Sequence, residues 1–272
     1  MKSAALLFAY SLRRVRTLAI ATGLLLAALQ LVLIFVAGAL HTTGAFDQLS
    51  ALIPPFAREL LGPSVTIIMS FSGIVCLGYF ELAVMGALIA LAVTLATTPA
   101  SEVETGFMDL ILARPLARHW IITRTIALTT LVSAAMLVLM VAGTWTGLWL
   151  FAPTGVAWPP AALIISLAIN LGMLTLCWGG VAMAIGAASR RRSVAGGTAG
   201  LLAFAAFLLD YVARLWQPAE KIAWISPFRY YNPFDLITGN PLPLKNVAVL
   251  GAIAVAGFAA AYILFARRDI SH

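Results

Sequence analysis

What most constrains this chain is a series of apolar runs, each long enough to cross a bilayer. Residues 18–40, 125–151, 161–188, 193–216 and 246–265 are almost free of charge. Roughly 20 helical residues span the ~30 Å hydrocarbon layer. No water is available there, so each run must satisfy its own backbone hydrogen bonds, and an open chain does that only as a helix. A further run, Ser64 to Thr98, would be about 50 Å long as one straight helix. It either tilts and protrudes or breaks near Gly73 or Gly78, and the span is placed at 78–98. The expected fold is therefore all-α: a polytopic membrane protein with about six transmembrane helices in a single transmembrane domain, 1–272. A hydrophobic content of 62%, only 10% charged residues and a mean hydropathy of +1.01 agree with this and lie far from globular averages.

Charge placement supplies an orientation. The 17 Lys and Arg residues cluster at the ends of the apolar runs. With both termini cytoplasmic, twelve fall inside: Lys2, Arg13, Arg14, Arg16, Arg114, Arg118, Arg124, Arg190, Arg191, Arg192, Arg267 and Arg268. Arg58, Arg214, Lys221, Arg229 and Lys245 make five outside, which satisfies the positive-inside rule. The formal charge of +7 then belongs to the membrane surface rather than to nucleic acid. Residues 1–16, basic with a modest apolar face, read as an interfacial helix leading into the first span. Ala37-Gly-Ala39 could mimic a signal cleavage site, but the run before it is too long for a signal core. The expected location is the cell's inner (plasma) membrane. The segment 217–245 should lie outside; Pro218, Pro227, Pro233, Pro241 and Pro243 prevent one continuous helix. Its aromatics, Trp224, Phe228, Tyr230, Tyr231 and Phe234, suggest a re-entrant or interfacial segment of short helices dipping into the outer headgroup zone, and Trp145, Trp149, Trp158, Trp216 and Trp224 read as an aromatic belt.

One polar island, Ser101 to Arg118, interrupts the apolar pattern. Helical spacing over 101–114 gathers Val103, Phe107, Leu110, Ile111 and Arg114 on one side and Glu102, Asp109 and Ala113 on another. Ser101 is the expected cap, Glu104 can reach back to it, and Pro115 ends the helix. Physically this is equally a loop helix resting on lipid. Glu104-Thr-Gly106, Asp109-Leu110, Leu112-Ala-Arg114-Pro115 and Arg118 resemble the first cytoplasmic loop of type-2 ATP-binding cassette permeases, where a coupling helix docks on an ATPase subunit. Ser226-Pro227-Phe228, Tyr230-Tyr231-Asn232-Pro233 and the tail Phe265-Ala-Arg267-Arg268-Asp269-Ile270 are similar to the last outer segment and C-terminus of that family. The resemblance implies a permease subunit, an exporter, working as a homodimer or pseudo-dimer with two copies of an ATP-binding cassette ATPase. Its implied ATPase interface is Glu102, Glu104, Gly106, Phe107, Leu110, Arg114, Pro115 and Arg118.

Nothing in the chain points to its own catalysis. There is no G-x-x-x-x-G-K-[ST] loop, so ATP and Mg2+ are expected on the partner ATPase and no cofactor on this chain. His41, His119 and His272 are scattered and no Cys pair has ligand spacing, so no metal site is expected; Cys76 and Cys177 read as packing residues. Glu81, an acid near an apolar run, is a candidate for the translocation path or a hydrated residue at the outer interface. Asp210 can pair with Arg214 one helical turn on. Gly143-x-x-x-Gly147 and Gly196-x-x-x-Gly200 permit close helix approach. Two other functions stay open: a membrane scaffold or sensor binding a different soluble protein, and an ion-coupled secondary transporter using Glu81.

Overall fold

A computed structural model describes residues 2–44, 70–106 and 119–267, with side chains from Phe8 onward in the first stretch. Among the described residues every regular element is helical. Six segments are long and apolar enough to cross a membrane: Phe8–Thr42, Phe71–Ala96, His119–Phe151, Ala161–Ala188, Arg192–Ala213 and Leu244–Ala266.

The first helix, α1 (Lys2–Thr42), is one continuous rod, so the expected separation of an interfacial helix at 1–16 from a span at 18–40 does not occur. No proline lies in this stretch and no glycine precedes Gly23, so nothing interrupts the i→i−4 ladder. The helix ends where Gly44 takes a left-handed φ of 67°, a conformation glycine adopts without a Cβ penalty.

The long second run does break. Helix α2 (Phe71–Leu77) begins under Ser70, whose Oγ accepts the Gly73 N–H at 3.1 Å; α3 (Leu82–Ala96) follows after a turn at 78–81. The apolar segment thus starts at Phe71, seven residues earlier than the expected 78–98. Three neighbours stitch the break. Thr144 donates to the Met140 carbonyl at 3.0 Å, which leaves its oxygen to accept the Tyr79 hydroxyl at 2.8 Å. The Tyr231 hydroxyl donates to the Tyr79 carbonyl at 2.6 Å; burial pushes this phenol's ionisation upward and so keeps it a donor. The Gln30 amide packs directly against Gly78, and a Cβ there would oblige that side chain to shift.

Next come α4 (Thr98–Glu104), α5 (His119–Phe151), α6 (Ala161–Ala188) and α7 (Arg192–Ala213). The proline-rich segment forms only short pieces: α8 (Gln217–Glu220), two 3-10 turns (Ala223–Ile225, Pro227–Tyr230) and α9 (Pro233–Ile237). The last helix is α10 (Leu244–Ala266). Ser226 holds the proline-rich segment to α7 by donating to the Ala206 carbonyl at 2.7 Å. Phe228 sits between Trp178 and Phe207, with ring centroids 5.7 and 5.6 Å away. As expected, Arg214 pairs with Asp210, Nη2 to Oδ2 at 2.8 Å.

Glycines bring two pairs of parallel helices into backbone contact. Along α1 and α5, a Cβ at Gly143 would stand 3.0 Å from the Ala27 backbone, and one at Gly38 would stand 2.7 Å from the Phe151 carbonyl. Along α6 and α10, a Cβ at Gly180 would stand 2.5 Å from the Ala254 carbonyl, and Gly257 meets Gly180 in return. Helix α3 runs parallel to α6, with Gly179 over Ala92 and Gly186 over Thr97. The buried core is continuous through these contacts.

Candidate functional site

The features that stand out chemically lie at the end of the bundle where α3 finishes and α7 begins. Thr97 closes α3 with its hydroxyl on the Val93 carbonyl at 2.9 Å, and Pro99 in the first turn starts α4. The helix therefore begins at Thr98, and Ser101 lies within it rather than capping it. It stops at Glu104, because Gly106 takes φ of 67°, so the expected single helix over 101–114 is interrupted there. Phe107, Leu110, Arg114, Pro115 and Arg118 lie outside the described residues.

The three described members of the expected interface behave differently. Glu102 points into the bundle and is 3% exposed. Its two oxygens accept from Nη2 of Arg124 on α5 at 2.7 and 2.6 Å, so it is held within the chain rather than offered to a partner. Burial of a charge in the protein interior demands such pairing. Glu104 is exposed and its Oε2 accepts the backbone N–H of Arg192 at 2.8 Å. That N–H is one of the orphan donors of α7's first turn, so an acid from one connection caps the helix that follows another. Gly106 is the left-handed turn beyond. Arg192 completes the knot: its guanidinium donates to the Thr94 carbonyl at 3.3 Å. Helix α4 is thereby tied to α5 through Glu102 and to α7 through Glu104.

Beside this knot a groove of about 850 Å³ opens between α3 and α7. Met85, Ile89 and Val93 form one wall, and Ala203, Phe204 and Phe207 the other. Phe228 lines one end; Thr94, Thr97, Arg192 and Ser193 gather at the opposite end. Its small residues Gly86, Gly196 and Gly200 have nothing within 4 Å of where a Cβ would stand, so among the described residues this glycine motif packs against no helix. From Leu82 to Thr97 the α3 wall runs about 22 Å, most of the ~30 Å hydrocarbon thickness.

Glu81 sits at the break, at the N-cap position of α3, where its side chain caps nothing. It is half-buried, and the groove wall begins one residue later, at Leu82. Cys76 and Cys177 are buried free thiols. Among the described residues no three His, Cys, Asp or Glu side chains gather in a way that could hold a metal ion.

Arg124 and Arg192 are functional candidates that sequence reasoning counted only as orienting charges. The one signal for Arg124 was its position, six residues beyond Arg118 and at the threshold of an apolar run. Its pairing with Glu102, 22 residues earlier, has no local signature. No family model, no curated protein and no solved structure matches this chain.

Proposed function

We propose that this chain is the membrane-spanning permease subunit of an ATP-binding cassette exporter, lying in the cell's inner membrane with both termini cytoplasmic. A separate ATPase works it from the cytosol, two ATPase copies serving two permease subunits. The observation that carries the reading is the knot around α4. A push delivered by a soluble partner to the connection 101–118 is passed directly to α5 by the Glu102–Arg124 pair and to α7 by the Glu104 contact. One of the elements moved in this way, α7, forms one wall of the groove, and α3, which leads directly into α4, forms the other. The groove is then the path, and ATP with Mg2+ acts on the partner alone.

The test is purification of the tagged full chain from its own membrane. The expected companion is an ATPase carrying a phosphate-binding loop, present in equal amount, whose ATP turnover responds to the permease. Glu104→Arg should leave the chain inserted and the ATPase bound while uncoupling turnover from transport. A chain that purifies without an ATPase, or a Glu104→Arg variant that transports normally, removes the reading.

A second reading is favoured by one observation, the interruption of the second span beside Glu81. Discontinuous helices commonly form substrate and ion sites in ion-driven carriers, and acids within the membrane often serve as proton relays. Vesicles holding the chain alone would then accumulate substrate on an imposed proton or sodium gradient without ATP, and Glu81→Gln would abolish it.

A further inference from the structure

We infer that the groove between α3 and α7 takes an anionic amphiphile from the cytoplasmic leaflet, its head group held at Arg192 and its apolar chain along α3. The division of chemistry along the groove argues for it. Over most of its length the lining is apolar, from Leu82 and Met85 through Ile89 to Phe204 and Phe207. Polar lining is confined to the end formed by Thr94, Thr97, Arg192 and Ser193. A hydrophilic solute would leave its hydrogen bonds unmade along the walls, and an uncharged oil would gain nothing from the end.

Arg192 is positioned for such a head group. Glu104 occupies its backbone N–H, not its guanidinium. Of the five guanidinium donors, the described residues engage only one, at 3.3 Å on the Thr94 carbonyl. Arg190 and Arg191, exposed beside it, add positive potential at the mouth, where anionic head groups concentrate. Among the described residues no acidic side chain lines the groove; the nearby acid, Glu104, is engaged by the Arg192 backbone N–H. Gly86, Gly196 and Gly200 leave the width that a chain needs.

This inference rests on the reading of the groove as a path, yet its test uses the chain alone and does not depend on whether an ATPase accompanies it. The full chain in phosphatidylcholine nanodiscs is illuminated with a diazirine-bearing alkyl phosphate or with the alkyl alcohol of the same length, and labelled peptides are counted. The phosphate should label α3 and α7 about tenfold more than the alcohol, the worth of one charge-assisted hydrogen bond. Arg192→Gln should bring the two probes level and Arg192→Lys should restore the preference. Because Arg192→Gln also loses the Thr94 contact, Ser193→Glu provides a second arm: it keeps Arg192 and should suppress only the phosphate. Gly200→Phe should remove labelling by both probes from the groove while Leu24 and Leu25, exposed on α1, are labelled as before. Equal labelling of the unaltered chain by the two probes overturns the inference. So does labelling confined to α1, or an unlabelled groove in which Gly196→Cys forms disulfide-linked dimers, since a second copy would then be its occupant.

Discussion

The chain contains two Gly-x-x-x-Gly motifs with the same spacing and opposite fates. Gly143 and Gly147 on α5 are filled by α1: Ala27 stands against the first, and Leu31 and Ile34 against the second. Gly196 and Gly200 on α7 meet nothing among the described residues and line a groove. In lipid the hydrophobic effect does not drive helices together; close packing and hydrogen bonds do. A glycine motif therefore stabilises only where a partner helix is delivered to it. The α1–α5 and α6–α10 contacts are close-packed at the backbone, whereas among the described residues the face between α3 and α7 is left open.

The contrast can be broken most severely at the buried charge that anchors α4. Arg124→Ala should destabilise by about 3–5 kcal/mol, since the Glu102 carboxylate would be left unpaired in the interior. Thermal unfolding in detergent reads this, and replacing both residues with leucine should recover most of the loss. If Arg124→Ala unfolds like the parent, the anchor is not structural. Next in size, Gly143→Leu should cost about 3 kcal/mol, because the added side chain meets the Ala27 backbone, which cannot turn aside. Glu104→Ala removes an N-terminal acceptor from α7 and should cost about 1 kcal/mol. Hydrogen exchange should localise that loss to the first turn of α7 and leave α5 unchanged. The smallest effect belongs to Gly200→Leu, within about 0.5 kcal/mol of the parent, since there is open space to receive it. A large loss there would mean that the groove is filled in the folded protein, and the distinction between the two motifs would disappear.

Much of the fold could be read from the residues, and the parts that could not share a cause. Five prolines in 217–245 foretold the short helices seen there, and one helical turn of spacing foretold Asp210 with Arg214. The continuity of α1 through residue 17 is not legible there because composition changes from basic to apolar while nothing in the stretch, neither proline nor glycine, interrupts the ladder. Glu102 and Glu104 looked alike in sequence. One lies in the core and the other on the surface: α4 is entered at Thr97, four residues before the expected cap at Ser101, and Glu102 faces α5. Register of that kind depends on Pro99 and on the packing of Thr97 against Gly186.

By itself the sequence determined that the backbone is helical and that six segments can cross a bilayer, because apolar length and the need for internal hydrogen bonding are local properties of each run. Only the tertiary structure decided which glycine motif is filled, which glutamate is buried, and that Arg192 stands at the mouth of an apolar groove. Those outcomes depend on which helices become neighbours and at what depth, and no single stretch of residues carries a trace of that.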